Sequence, residues 1–574
     1  MPTKIYHPIS IALSTLLVFA LLFIFRQVDD NRLTSWNWAF AGVDVSSIII
    51  ILIIGLIAAY GLSRLSFHER HPFIFLTASS FIVCYLLWGA PEVIVDVSRY
   101  FTQAKHLNEY GVKYFLKEWG NDINAWTDLP LLPLLYGLIF KVFGENRVYI
   151  QIFTMFLFAM TAVCNYLLGK TLWGENTGFN AGLLLLGIPY LLIQTPFMLV
   201  DIATMSFLTF SLYTFIMALK KGSKWAIISS MAIFLAVFSK YSTWMLLSVL
   251  GMTFLVHLMK PYELLTPPGS KLHISIARLR MRCIKNASLT ALFAGIFIGI
   301  VILLKFEVIT EQINLLLTYQ KPALKGWSES FISTFFYHIH PFITLASLYS
   351  LYAAIKKKDM KYAIISWLVF LIILLWIKRI RYILPIFPML TLMAAYGFQA
   401  IKDKQVRRFA VLSAVVSSLI IALFVYLPFL QKMSSVNLMN AGKYIDALEA
   451  PAVKVLTIPS KTLTINPAVS VPVLDLFTDK DIYYDYEKIT PPAKVKTSPL
   501  RFTWSYKNPA YYKITARNAP DDNIPIIIIT SGQVYALPEY VQGKIKRYRK
   551  TVEFDSTTGF FRYSPVVLVY QPKR

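Results

Sequence analysis

Apolar runs separated by short polar turns fill the chain up to about residue 430, and then the pattern changes. The runs fall at 9–25, 45–63, 73–90, 147–168, 179–194, 203–219, 225–239, 243–258, 288–304, 333–355, 362–377, 383–400 and 409–428. A helix needs ~20 apolar residues to cross a hydrocarbon layer of ~30 Å, so these runs predict about thirteen transmembrane helices. One further apolar piece, 129–143, is short and carries Pro130 and Pro133 near its start. It is expected to lie in the interface instead of spanning. Between 431 and 574 the apolar runs shrink to strand length, at 453–458, 524–530 and 566–570, beside a helical pattern at 437–449. That stretch reads as a small α/β domain.

Loop charges orient the spans. With the N-terminus in the cytoplasm, the loops on that side hold Arg64 and Arg70, Lys170, and Lys220, Lys221 and Lys224. They also hold the basic segment 260–285, the cluster Lys356, Lys357, Lys358 and Lys361, and Lys402, Lys404, Arg407 and Arg408. This is the positive-inside bias. The reverse orientation puts all of these outside, and a spanning 129–143 would flip every later loop. The expected architecture is therefore a polytopic α-helical protein of the cell (inner or plasma) membrane. Residues 1–430 form its transmembrane domain, with a first extracytoplasmic loop at about 91–146, and 431–574 form a soluble extracytoplasmic α/β domain.

Composition agrees. Of 574 residues 56% are hydrophobic, which excludes an ordinary soluble domain. The formal net charge of +25 follows from the loop bias and requires no nucleic-acid partner. Cys84, Cys164 and Cys283 lie in or beside apolar segments, so no disulfide framework is expected. Lys4 precedes the first apolar run without a small-residue cleavage site, which reads as a retained first span.

Several segments place polar groups at the outer membrane edge. Residues 96–111, DVSRYFTQAKHLNEYG, put Asp96 just past a membrane exit, with Arg99 and Tyr100 close behind. A carboxylate there can take a proton from an attacking hydroxyl or amine; the plainer reading is a helix cap. Asp201 is an acid at the edge of hydrocarbon, where ionisable groups are costly and mark function, or again a helix N-cap. Lys240 faces outside against the charge bias, fit for a phosphate or for snorkelling to headgroups. Lys378, Arg379 and Arg381 crowd one outer edge, and guanidinium groups suit bidentate phosphate binding. Residues 126–147, WTDLPLLPLLYGLIFKVFGENR, are a proline-rich aromatic stretch whose Trp126 and Tyr136 also suit interfacial anchoring.

In order and sidedness these segments resemble the GT-C glycosyltransferases of the protein-mannosyltransferase and aminoarabinose-transferase type, over residues 73–400. In that family an acid follows the membrane exit, often as Asp-Glu, then an Arg-Tyr or related pair and an amphipathic helix ending near Gly. Asp96, Arg99, Tyr100 and Gly111 match, and Val97 stands where the second acid is usual. The proline-rich stretch and Phe143-Gly144 match the juxtamembrane segment, with Asp128 where a basic residue is common. Asp201 matches the acid of a Pro-x-acid element, though further from Pro196 than is usual. Lys240 matches a lysine of that region, and Arg381-Tyr382 with Pro385 and Pro388 match a basic-aromatic-Leu-Pro-x-x-Pro segment.

The resemblance implies the GT-C fold and transfer of a hexose or pentose from a polyprenyl-phosphate donor, by inverting displacement, to a protein, lipid or glycan acceptor. It implies Asp96 and Asp201 as catalytic acids. Arg99, Lys240, Lys378, Arg379 and Arg381 would hold the donor phosphate, and Tyr100 and Tyr382 would contact substrate. Expected partners are donor, acceptor and membrane lipids, with no nucleic acid. No cofactor is certain; a divalent metal is the candidate, at His338 and His340, where a polar helix end is the other reading. The competing class is a lipid or sugar-lipid transporter or flippase without chemistry. It would bury ionisable groups mid-span or show repeated halves, and the chain shows few such groups and no repeat.

Overall fold

The structure, a computed structural model, describes residues 3–65, 70–261, 264, 275–321, 329–459, 465–486, 490–492, 495, 498, 500–513, 523–532, 536–556 and 563–573. Parts of the basic segment 260–285 and of the loop 305–332 lie outside the described residues.

Eight helices among the described residues are long and apolar enough to cross a membrane: His7–Ile24, Val45–Ser63, Arg147–Trp173, Asp201–Lys221, Ser242–Met259, Ile276–Leu304, Ile380–Phe398 and Lys404–Gln431. Four shorter apolar helices are Pro72–Tyr85, Leu131–Phe143, Lys224–Ser239 and Tyr362–Leu374. The other expected runs are broken by proline. Residues 179–194 fold within two short helices, Glu175–Leu185 and Pro189–Gln194. Residues 333–355 split into a π-helical turn, Ser333–His338, and a helix, Pro341–Lys357. Pro189 and Pro341 each open the second helix, at the position where a missing N–H costs nothing.

Burial sorts the bundle. Asp201–Lys221 and Ile380–Phe398 are 89% buried and form its centre, whereas Ile276–Leu304 is 11% buried and presents apolar side chains outward. An apolar exterior on a helix of spanning length fits a lipid solvent.

The first loop is built on a helix, Ile94–Glu118, that is kinked at Gly111 (φ +83°). Leu131–Phe143 lies on it at close range. A Cβ on Gly137 would stand 2.7 Å from the Ala104 carbonyl oxygen and 2.7 Å from Leu107 Cβ. With 13 residues this second helix reaches ~20 Å, short of a full crossing.

After residue 430 the chain forms a five-stranded sheet, with β1 Ala452–Thr457, β2 Asp481–Tyr484, β3 Ile526–Ser531, β4 Tyr548–Phe554 and β5 Pro565–Pro572. The order is β2-β1-β3-β5-β4. β1 runs parallel to β2 and β3, while β5 is antiparallel to β3 and β4. The helix Ser435–Asp446 covers one face, burying Leu438, Ala441 and Ile445 against Val453, Ile527 and Val567. Ile94 and Val95, just ahead of Asp96, pack on Val469 and Tyr563, so the tail seats the start of the first-loop helix.

Candidate active site

Asp96 and Arg99 occupy the first two turns of the first-loop helix, three residues apart and therefore on one face, with Arg99 Nη2 3.1 Å from Asp96 Oδ1. Asp96 is no cap: it lies inside the helix, the capping position belongs to Val93, and the carboxylate turns to side chains. Asp201 is the first residue of its helix, after Val200 at the cap, and its side chain is only 1% exposed. Lys240 ends the helix Lys224–Ser239 in extended backbone and reaches back to Asp201, Nζ to Oδ1 2.6 Å.

Arg381 joins the two acids. It lies in a short helix, Ile380–Ile383, whose entry is pinned by Glu329 accepting the Ile380 N–H (3.2 Å) and by Thr334 donating to the Lys378 carbonyl (2.6 Å). From there Arg381 Nε donates to Asp201 Oδ2 at 2.8 Å, and Nη1 donates to Asp96 Oδ2. Residues 105 and 180 positions apart along the chain from Asp96 and Arg381, respectively, meet at Asp201. The planar guanidinium suits this two-sided role, which an ammonium cannot reproduce.

Asp128 completes the group. Arg99 Nη2 lies 3.3 Å from its Oδ1, and Gln103 Nε2 donates to its Oδ2 at 3.2 Å. Gln312, held by Tyr241 (2.6 Å), donates to the Asp128 carbonyl at 2.7 Å. Three cations, Arg99, Lys240 and Arg381, thus neutralise three carboxylates, Asp96, Asp128 and Asp201. Environment separates the two acids that lie outside the spans. Burial opposes the charge on Asp96, but the guanidiniums of Arg381 and then Arg99 outweigh it and hold the carboxyl well below its ordinary range. For Asp128 burial wins over the pull of Arg99, Asp96 adds to it, and its pKa is raised.

Around this centre, the Tyr382 ring lies 5.0 Å from the Lys240 ammonium and 5.4 Å from the Arg379 guanidinium. The charge of Arg379 also reaches Asp96. Tyr100 is buried beside Arg99, whose guanidinium lies 5.6 Å from its ring. Lys378 points elsewhere: its ammonium lies over the Trp376 ring at 4.6 Å and near Phe331 at 6.0 Å. Of the nine residues singled out in the sequence, eight therefore gather here and Lys378 does not.

His338 and His340 do not form a metal pair. His338 Nε2 lies 3.3 Å from Asp29 and its Nδ1 faces Tyr426, while His340 Nδ1 accepts the Phe342 N–H (3.1 Å) and its Nε2 pairs with Ser417 (3.0 Å). His340 is a helix cap, and both rings are fully engaged. No group of three or more His, Cys, Asp or Glu side chains suited to a metal ion occurs among the described residues.

Sequence reasoning missed three participants. Gln103 lies one turn beyond Arg99 on the same helical face, which was a usable signal. Gln312 gave none. The pair Glu92–Arg147 is also new: Nε to Oε1 is 2.6 Å, Arg147 donates to the Ala90 carbonyl (2.7 Å), and Glu92 accepts the Met198 N–H (3.1 Å). It clips together the segments that lead into Asp96 and Asp201.

Comparison with known proteins adds to this geometry. Residues 128–272 match the family model described as dolichyl-phosphate-mannose-protein mannosyltransferase, a stretch that contains Asp128, Asp201 and Lys240. No curated protein matches by sequence. Among solved structures, the chain is similar to ArnT from Cupriavidus metallidurans in the apo state, at 11% identity, covering 87% of this chain and 97% of that one with a TM-score of 0.52. It is equally similar to the same protein bound to undecaprenyl phosphate, at 12% identity with the same coverage and TM-score. The archaeal oligosaccharyltransferase AglB from Archaeoglobus fulgidus, in complex with an inhibitory peptide and a dolichol-phosphate, matches at 12% identity over 89% of this chain and 75% of that one, with a TM-score of 0.46. The chain has the GT-C glycosyltransferase fold.

Proposed function

We propose that the protein is a membrane glycosyltransferase that moves a hexose or pentose from a polyprenyl-phosphate donor to an acceptor on the extracytoplasmic face, where the domain 431–574 also lies. The observation that carries this reading is Arg381 bridging Asp96 and Asp201. A cation shared by two acids is poised to change partners when an anion arrives. The donor phosphate takes Arg381 and Lys240, with Arg99 and Arg379 at its flanks, and Tyr100 and Tyr382 line its approach. Asp96 then loses its strongest counter-charge, its pKa rises, and it becomes a competent base.

The displacement follows. The acceptor oxygen forms a bond to the sugar C1 from the face opposite the phosphate as the C1–O(phosphate) bond breaks. The acceptor proton passes to Asp96, and polyprenyl phosphate leaves on the cations that held it. Asp201, still paired with Lys240, keeps that ammonium oriented, and Asp128 takes over Arg99.

The donor-consumption assay tests this. The full chain in nanodiscs is given a panel of polyprenyl-phosphate hexoses and pentoses, and loss of lipid-linked sugar is followed. Turnover that disappears in Asp96→Asn is expected. Movement of intact sugar-lipid across liposomes, with no chemical change, would assign the chain to transport instead. The similarity to ArnT bound to undecaprenyl phosphate supports the donor class.

A further inference from the structure

Beside the acid cluster lies a small cleft of about 60 Å³ that is partly open to solvent. One wall is the face of the first-loop helix that carries Ser98, Thr102 and His106, and the other is the tail segment 502–507. The tail wall is anchored across the cleft: Asn124 donates to the Ser505 carbonyl (3.3 Å), and Lys507 donates to the Asn121 carbonyl (3.1 Å).

Three lining residues carry buried polar atoms with no hydrogen-bond partner among the described residues: Arg99 Nε, Gln103 Oε1 and the Tyr506 hydroxyl. A buried polar group left unpaired costs ~1–3 kcal/mol, so three at one cleft call for an explanation. Together they offer one donor, one acceptor and one group that does both, a set complementary to adjacent hydroxyls.

Trp126 also lines the cleft, with its backbone in the left-handed region (φ +49°). A tryptophan is held there only when its surroundings enforce it, as at ligand clamps. Asn124 Oδ1 accepts its N–H (3.2 Å), and its ring is wedged between Tyr319 at 5.5 Å and Phe502 at 5.4 Å. The result is an aromatic surface facing a set of hydroxyl-binding groups. Arg99 links the cleft to the reaction, because the guanidinium that offers Nε to the cleft also holds Asp96 and Asp128.

We infer that this cleft is the acceptor subsite and that the acceptor is a saccharide. Its ring faces lie on Trp126 and Phe502, and its hydroxyls bond to Gln103, Tyr506 and Arg99. A peptide is the poorer fit, since the walls are a helix face and a 3₁₀ turn and offer no strand edge for backbone pairing. The inference rests on the transfer reading for its word acceptor, and on the cleft alone for its word saccharide.

The test therefore uses no donor. The full chain in nanodiscs is mixed with cellotetraose, maltotetraose or chitotetraose, and binding is read by saturation-transfer-difference NMR, with a Ser/Thr-rich peptide in parallel. At least one tetrasaccharide is expected to bind. Trp126→Leu should weaken it at least tenfold and Tyr506→Phe at least threefold, and the peptide should not bind. Tyr506→Phe removes only a hydroxyl that has no partner among the described residues, so the variant is expected to fold. Binding of none of the three sugars, sugar binding indifferent to both variants, or binding of the peptide alone overturns the assignment. A wild-type protein that binds sugar yet consumes no lipid-linked donor refutes the transfer reading and not the saccharide site.

Discussion

Replacing Arg381 separates what the cluster does for stability from what it does for transfer. In Arg381→Met, Asp201 keeps Lys240, and Asp96 keeps its ion pair with Arg99 and the more distant charge of Arg379. Breaking a fully buried pair costs ~3–5 kcal/mol because a charge is left uncompensated. Here each acid retains one partner, so the lower end, ~3 kcal/mol, is expected, most of it from Asp201, whose side chain is 1% exposed. Removing that charge as well, in Arg381→Met with Asp201→Asn, should recover most of the loss. Activity should behave differently. Charge-assisted hydrogen bonds contribute ~1.5–3 kcal/mol each, so losing the Arg381 contact to the donor phosphate raises donor KM roughly ten- to hundredfold. The double variant cannot recover it. Arg381→Lys should show most of the same defect, because one ammonium cannot span both carboxylates. Melting by intrinsic fluorescence and donor-consumption kinetics in one nanodisc preparation measure both arms. If the double variant regains donor KM along with stability, or if Arg381→Met leaves donor KM within about threefold of wild type, the phosphate role is wrong and the arginine is purely structural.

Asp96→Asn should cut transfer by a factor on the order of 10²–10⁴, the usual contribution of a positioned base, and should lower melting as well, since the amide has one accepting oxygen where the carboxylate accepts from both Arg99 and Arg381. Gly137→Ala pushes a methyl to 2.7 Å from the Ala104 carbonyl and should lower stability by ~1–3 kcal/mol, read as a drop in melting temperature. A pH effect is expected at Glu145. Burial and then the charge of Asp475 push its carboxyl up to about 7 despite the Lys105 ammonium 2.7 Å away. The folded value lies above the ordinary 4.5, so its contribution to stability is present below about pH 4.5 and is lost as pH rises through about 7. Glu145→Gln should flatten the fall in melting temperature across that window, and an unchanged slope would remove Glu145 as its source.

How much of this was legible in the sequence depends on what each residue needed from its neighbours. β1, β3 and β5 lie in the middle of the sheet and are mostly apolar runs, interrupted in β1 by Lys454, so they announce themselves. β2 (DIYY) and β4 (YRKTVEF) are its edges, with one face or margin toward water, and their mixed patterns match no simple period. The spans were legible as apolar length, except where Pro189 and Pro341 restarted a helix inside one run. Of the eight singled-out residues that gather, the six charged ones stood out because a charge at the outer membrane edge is unusual whatever its partner. Their pairings were not readable, since no local pattern connects Asp201 with Arg381, 180 residues later. Lys378 was misplaced for a related reason. Three cations within four residues look equivalent in sequence, but the left-handed turn at Trp376 (φ +56°) and the helix starting at Ile380 send Lys378 over an indole ring and Arg381 into the bundle.

The two walls of the cleft come from opposite ends of the chain, Ser98 to Trp126 on one side and Phe502 to Lys507 on the other. Every cation and carboxylate of the donor cluster, by contrast, has been synthesised by residue 381. During biogenesis the donor residues therefore emerge first, but the start of the Asp96 helix still waits for Val469 and Tyr563 of the tail, and the second wall of the cleft waits for residues 502–507. A chain that ends before the tail is made would be expected to lack both the support under the Asp96 helix and the second wall of the cleft. Completion of the tail and completion of both sides of the site are thereby coupled in the fold.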